Sequence, residues 1–192
     1  MTWYVVDGMD GSGKSTTAKI LAEELEASGR KVLIMTHPNR GTLTGRLELE
    51  FLRRDGKPAV IMSTILYVAD ILHSIRVMRR RSCREYDDII FVRYIMAVAY
   101  LPDRLNRPAY DVIAHVLPMP ETKVLVDVEP TIAMDRIRSR GEDLEVFETE
   151  ERLGKVRDRM LALSEGWIVL HNCSGVEDMR EQIRSRVTGV SR

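Results

Sequence analysis

A chain of 192 residues with 44% hydrophobic and 30% charged residues can bury one sizeable core, and it reads as a single soluble domain over 1–192. Lys+Arg 29 balance Asp+Glu 29, so no bulk charge argues for nucleic acid or an anionic membrane as partner. No apolar run is long enough to span a bilayer, no signal peptide is expected, and the widely separated Cys83 and Cys173 read as free thiols in a reducing cytoplasm.

The first element is the apolar, β-rich stretch Trp3-Tyr4-Val5-Val6. The glycine-rich segment Gly8-Met9-Asp10-Gly11-Ser12-Gly13-Lys14-Ser15, continued by Thr16, follows at once. Ala18, Leu21, Ala22 and Leu25 then recur at the spacing of one helix face. A G-x-x-x-x-G-K-[ST] motif between a strand and a helix is a phosphate-binding loop. Its glycines let the backbone curl round an anion, and the helix N-terminus adds partial positive charge. Lys14 is expected to reach the β- and γ-phosphates of ATP, and the Ser15 hydroxyl to hold Mg²⁺.

Lys31-Val32-Leu33-Ile34-Met35 reads as a second strand, ending in the loop Thr36-His37-Pro38-Asn39-Arg40-Gly41. Ligands of open α/β sheets sit at the carboxyl ends of strands, so Arg40 is a candidate for gripping a phosphate. His37 reads as a bystander rather than a base. A short helix is expected from Leu43 to Arg54, closed by Asp55-Gly56-Lys57-Pro58. In the longer helix that follows, Ile61, Ile65, Val68, Leu72 and Ile75 form one apolar stripe. Met62, Ala69 and Val77 widen that surface and suggest a second contact, a homodimer. Arg76, Arg79, Arg80, Arg81 and Arg84 read as a solvated helix end, with polyanion binding as the alternative.

Ile89-Ile90-Phe91-Val92 is the third strand and leads into Arg93-Tyr94, then a helical stretch to Tyr100-Leu101-Pro102. A helix is expected over Asn106 to Leu117. Val124-Leu125-Val126-Asp127-Val128 is the fourth strand, and Pro130 starts a helix that carries Arg136, Arg138 and Arg140. Gly141 opens an acidic loop through Glu148, a lid over about 140–149. Leu153, Val156, Met160 and Leu163 mark the next helix, and Trp167-Ile168-Val169-Leu170 the fifth strand. Ser174 with Glu177 reads as a capping box for a last helix faced by Val176, Met179, Ile183 and Val187. Five strands separated by helices imply a doubly wound, five-stranded parallel α/β sheet with helices on both faces.

The ordered set of motifs resembles the thymidylate kinases, nucleoside monophosphate kinases of the P-loop group. The P-loop with its internal Asp10 is similar to the family's D-G-x-G-K-S-T signature. His37-Pro38-Asn39-Arg40 resembles the loop with a proline and a phosphate-gripping arginine. Tyr67-Val68-Ala69-Asp70 resembles the segment whose aromatic stacks on thymine, and Arg93-Tyr94 resembles the Asp-Arg-Tyr motif. Asp127-Val128-Glu129-Pro130, Arg136, Arg140-Gly141 and Phe147-Glu148 resemble the fourth strand and the lid over ATP. Three positions depart from the family. Val92 replaces the aspartate of Asp-Arg-Tyr, Ile71 stands where the base-reading arginine follows Asp70, and Gly11 stands where some members carry arginine.

The resemblance implies a division of labour. Gly8 to Thr16 bind ATP. The catalytic set is Lys14, Arg93, Arg136 and Arg140: Lys14 holds the donor, Arg93 fixes the acceptor phosphate, and Arg136 and Arg140, with Arg138 a further candidate, close over the transferring group. Asp10, Arg40, Tyr67 and Arg93 bind the acceptor; with Ile71 unable to donate, His73 or Tyr100 is a further candidate for a donor to its base. Ser15 holds Mg²⁺, with Asp7 or Asp127 behind it. The expected reaction is ATP plus dTMP giving ADP plus dTDP. The alternatives are a same-fold kinase with another acceptor, motivated by Ile71, and a non-catalytic nucleotide-binding protein, motivated by Val92.

Overall fold

The computed structural model describes residues 1–39, 57–139 and 149–189. The expected helix from Leu43 to Arg54, Arg40, Arg140 and nearly all of the lid lie outside them, as do the side chains of Ile61, Ile65, Arg80, Arg81, Cys83 and Arg84. Five strands, β1 (Thr2–Asp7), β2 (Val32–Thr36), β3 (Asp88–Val92), β4 (Thr122–Asp127) and β5 (Ile168–His171), form one sheet in the order β2-β3-β1-β4-β5. Every neighbouring pair is parallel. The helices are α1 (Lys14–Ala27), α2 (Lys57–Glu85), α3 (Asp103–Val116), α4 (Pro130–Arg138), α5 (Glu150–Ala162) and α6 (Val176–Ile183), with a 3₁₀ turn at Met96–Tyr100.

Two apolar layers explain why the central strands read as continuous hydrophobic runs. Successive side chains of a strand point to opposite faces, and here both faces are covered. Trp3, Val5, Ile89 and Phe91 pack with Ile71, Ile75, Met134, Leu153 and Met160 on one side. Tyr4, Val6, Ile90, Val92, Val124 and Val126 pack with Leu21, Leu25, Met179 and Ile183 on the other. Trp3 meets Phe91 and Tyr94 edge-on at 5.2 and 5.4 Å. β1 is thus the buried centre of the sheet, and the loop after it opens at the carboxyl edge between β3 and β4.

Two local expectations are corrected. The buried line of α2 is Asp70, Ile71, Ser74, Ile75 and Met78, whereas Val68 and Leu72 are only half-buried. The helix is turned by about one residue from the apolar stripe because two polar side chains are needed inside. Asp70 accepts from the Asn39 N–H at 2.8 Å, and Ser74 Oγ meets His37 Nε2 at 2.8 Å. These bonds hold the loop after β2, and they outweigh the hydrophobic pattern. The capping box at Ser174 does not form either. The N-cap of α6 is Gly175, with φ 97° and no side-chain cap.

Candidate active site

The loop from Gly8 to Gly13 leads into α1, whose N-cap, Gly13, has φ 90° and no side-chain cap. The first amides of α1 therefore lack the side-chain acceptor that usually satisfies a helix start. Gly11 is required by both conformation and space. Its φ is +75°, and a Cβ there would lie 2.4 Å from the Ala133 carbonyl oxygen. A Cβ on Gly13 would lie 2.2 Å from Asn172 Nδ2. Ser15 and Thr16 are exposed on the first turn of α1. The Ser12 hydroxyl is buried with no hydrogen-bond partner among the described residues.

Cations converge on this loop. Lys14 is 6% exposed, and its Nζ donates to the Met9 carbonyl at 2.7 Å and lies 3.6 Å from Asp10 Oδ1. Burial, and then the charge of Arg93, push the Lys14 ammonium down to about 8; Asp10 and Asp7 offset this only in part. Arg93 follows β3 and donates from Nη2 to Asp10 Oδ1. Tyr100 Oη donates to Asp10 Oδ2 at 2.6 Å and accepts from the Asp10 N–H at 3.1 Å. Burial and the charge of Asp10 push the Tyr100 phenol well above its usual range. Arg136 reaches over from α4, donating to the carbonyls of Gly11 at 3.4 Å and Asn172 at 3.2 Å. The expected site residues Gly8, Met9, Asp10, Gly11, Ser12, Gly13, Lys14, Arg93, Tyr100 and Arg136 thus meet in one place.

Other expected residues have different surroundings. Arg138 is exposed at the end of α4. Tyr67 is half-buried, and its hydroxyl donates to the Tyr94 carbonyl. Ile71 is 2% exposed in the main core, and Val92 lies 1% exposed in the second apolar layer. Asp7 accepts from the N–H groups of Gly8, Tyr94 and Met96, and burial still raises its carboxyl above the usual range. Asp127 is engaged by Arg157 at 2.7 and 3.0 Å and by His171 at 3.2 Å. Burial opposes its ionisation, yet the Arg157 guanidinium holds the carboxyl below its ordinary value. Asp127 therefore joins β4 to α5.

Sequence reasoning missed two connecting side chains. Asn172, just past β5, donates from Nδ2 to the Ser12 carbonyl at 2.7 Å. His37 is wholly buried and hydrogen-bonded to the Arg93 carbonyl at 2.9 Å. Applying the rule that ligands gather at strand carboxyl ends evenly to all five strands points to both. A cavity of about 550 Å³ beside β2, lined by Ile34, Val77 and Tyr86 among others, shares no residue with the P-loop cluster.

The arrangement fits a polyphosphate. It offers a helix start without a side-chain cap, a buried hydroxyl with no partner among the described residues, and a buried ammonium whose charge burial disfavours and a bound anion would favour. Among the described residues no group of three His, Cys, Asp or Glu is placed to hold a metal ion. Ser15, exposed on the first turn of α1, would hold Mg²⁺ together with phosphate oxygens of the donor.

The sequence profile of the thymidylate kinase family matches residues 6–183. The chain belongs to the thymidylate kinase family. A probable thymidylate kinase of Pyrobaculum aerophilum is 30% identical over 196 residues, spanning 100% of this chain and 99% of that protein. A thymidylate kinase of Xanthomonas euvesicatoria pv. vesicatoria is 28% identical over 166 residues, spanning 82% and 70%. A solved thymidylate kinase structure from Candida albicans shares the fold at TM-score 0.67 and 17% identity, over 98% of this chain and 90% of that one. Family membership makes the chain a nucleoside monophosphate kinase with the P-loop NTPase fold. Among the described residues no helix is long and apolar enough to cross a membrane.

Proposed function

We propose that this thymidylate kinase family member transfers the γ-phosphoryl group of ATP to dTMP, giving ADP and dTDP. The observation that carries the reading is the convergence of Lys14, Arg93 and Arg136 on the uncapped start of α1. Phosphoryl transfer asks a protein chiefly for positioning and charge neutralisation. The amides from Gly8 to Thr16 and the Lys14 ammonium hold the donor phosphates. Mg²⁺, when bound through Ser15, neutralises charge on the donor phosphates. Arg136 and Arg140 cover the transferring group, releasing the carbonyls that Arg136 now contacts. Arg93 and Arg40 grip the acceptor phosphate. Asp10, fixed by Tyr100, accepts from the acceptor's sugar hydroxyl, and Tyr67 stacks on its base.

Ile71 shapes the expected selectivity. The position that carries the base-reading donor in the resembled family holds a side chain packed into the core. Base stacking tolerates any base, and a methyl contact separates ligands by only ~1–3 kcal/mol. We therefore expect pyrimidine monophosphates to be accepted with a weak preference for dTMP. Measuring kcat/KM for dTMP, dUMP and dCMP with ATP and Mg²⁺ tests this. A preference for dTMP over dCMP above about a thousandfold contradicts weak discrimination, and turnover of none of them contradicts the function. We further propose a cytoplasmic homodimer joined through α2, where Met62 is 41% exposed and Val68 and Ala69 are half-buried.

A further inference from the structure

We propose that His37 is the positioning residue for Arg93, holding the two peptide groups on either side of its Cα so that the guanidinium reaches the acceptor phosphate. This rests on the reading that Arg93 grips that phosphate. Among the described residues Arg93 is the one non-glycine with positive φ, at 67°. A side chain with a Cβ populates this region sparsely, and it stays there only where the surroundings over-determine it.

Four hydrogen bonds do so here. In the peptide before Arg93, the Val92 carbonyl accepts from the His37 N–H at 3.0 Å, and the Arg93 N–H donates to the Val6 carbonyl at 3.1 Å. In the peptide after it, the Arg93 carbonyl pairs with His37 Nδ1 at 2.9 Å, and the Tyr94 N–H donates to Asp7 Oδ2 at 2.9 Å. One end of each peptide is held by β1. The other end of each is held by His37, once through its main chain and once through its ring.

The ring is itself locked. A carbonyl oxygen only accepts, so Nδ1 carries the proton and Nε2 of the neutral ring accepts from Ser74 Oγ at 2.8 Å. The imidazole also meets Phe91 edge-on at 5.1 Å. It is fully buried, and both nitrogens are occupied, so it is no general base. Ser74 stands on α2 with Tyr67, whose hydroxyl donates to the next carbonyl, that of Tyr94. The helix on the acceptor side therefore grips the Arg93-Tyr94 segment twice, directly through Tyr67 and through His37.

The test compares His37→Phe, which keeps the ring volume but loses the side-chain donor, with His37→Asn, which returns an amide N–H near the place of Nδ1. Both are assayed at varied dTMP and varied ATP. His37→Phe is expected to lower kcat/KM for dTMP by about ten- to a hundredfold, with KM for ATP changed by less than about twofold. His37→Asn is expected to recover most of that loss. The effect of His37→Phe should vanish in an Arg93→Ala background, since a positioning residue acts through the group it positions. Should His37→Phe fail to fold, Ser74→Ala is expected to give a smaller loss in the same direction. Unchanged kcat/KM in both His37→Phe and Ser74→Ala, or an equal loss with and without Arg93, overturns the inference. Wild-type kinetics in Arg93→Ala alone overturns the role of Arg93 itself, so the two failures are distinct.

Discussion

Replacing Lys14 by methionine should abolish ATP turnover and stabilise the nucleotide-free protein. Burial and Arg93 lower the Lys14 ammonium from 10.5 to about 8. Each unit of pKa corresponds to about 1.4 kcal/mol, so holding this charge in the loop costs about 3 kcal/mol. Methionine fills similar space without charge. It forfeits the hydrogen bond to the Met9 carbonyl, worth about 1 kcal/mol, but that oxygen keeps the Ser12 N–H at 3.2 Å. The net gain near pH 7 is about 2 kcal/mol, which for a chain of this length raises Tm by about 4–8 °C. The native state binds the Lys14 proton more weakly than the unfolded state. The wild-type penalty is therefore full below about pH 8 and is lost as pH rises towards 10.5, the unfolded value. Thermal melts of both proteins at about pH 7 and about pH 10 read the gain and its disappearance. A variant that melts at or below wild type near pH 7, or a difference independent of pH, refutes the reasoning. Calorimetry supplies a second readout. ADP binding at pH 8 should take up about half a proton, because phosphate restores the full charge of Lys14.

Gly11→Ala places a Cβ against the Ala133 carbonyl at φ +75°. It should cost about 1–3 kcal/mol in stability and weaken ADP binding; an unchanged melt and affinity would contradict the close approach of the loop to α4. Light scattering at micromolar protein should give the mass of a dimer, and Met62→Glu should shift it towards 22.0 kDa, since a charge in an apolar contact is costly. A monomer mass for the wild type removes the α2 interface.

The parts legible in the sequence were those written locally. The five strands and their helices show as apolar runs and 3.6-residue spacing, and the P-loop shows as glycines at fixed offsets before Lys14. The convergence of Arg93 and Arg136 on that loop was reachable from the family resemblance. What escaped depends on partners distant in the chain. Asp70 and Ser74 turn α2 inward by bonding the loop after β2, and a hydrophobic pattern carries no sign of that. Asn172 reaches Ser12 across 160 residues of sequence, and Arg157 claims Asp127 across 30. Ser174 has the residue type of a cap, yet the chain turns at Gly175, where only glycine takes that conformation without strain.

Incubation with [γ-³²P]ATP, Mg²⁺ and dTMP, followed by chromatographic identification of the labelled product, tests the central claim most directly. The account predicts label in dTDP for the wild type and none for Lys14→Ala. Label appearing only as inorganic phosphate, or equally in dTDP with Lys14→Ala, would contradict it.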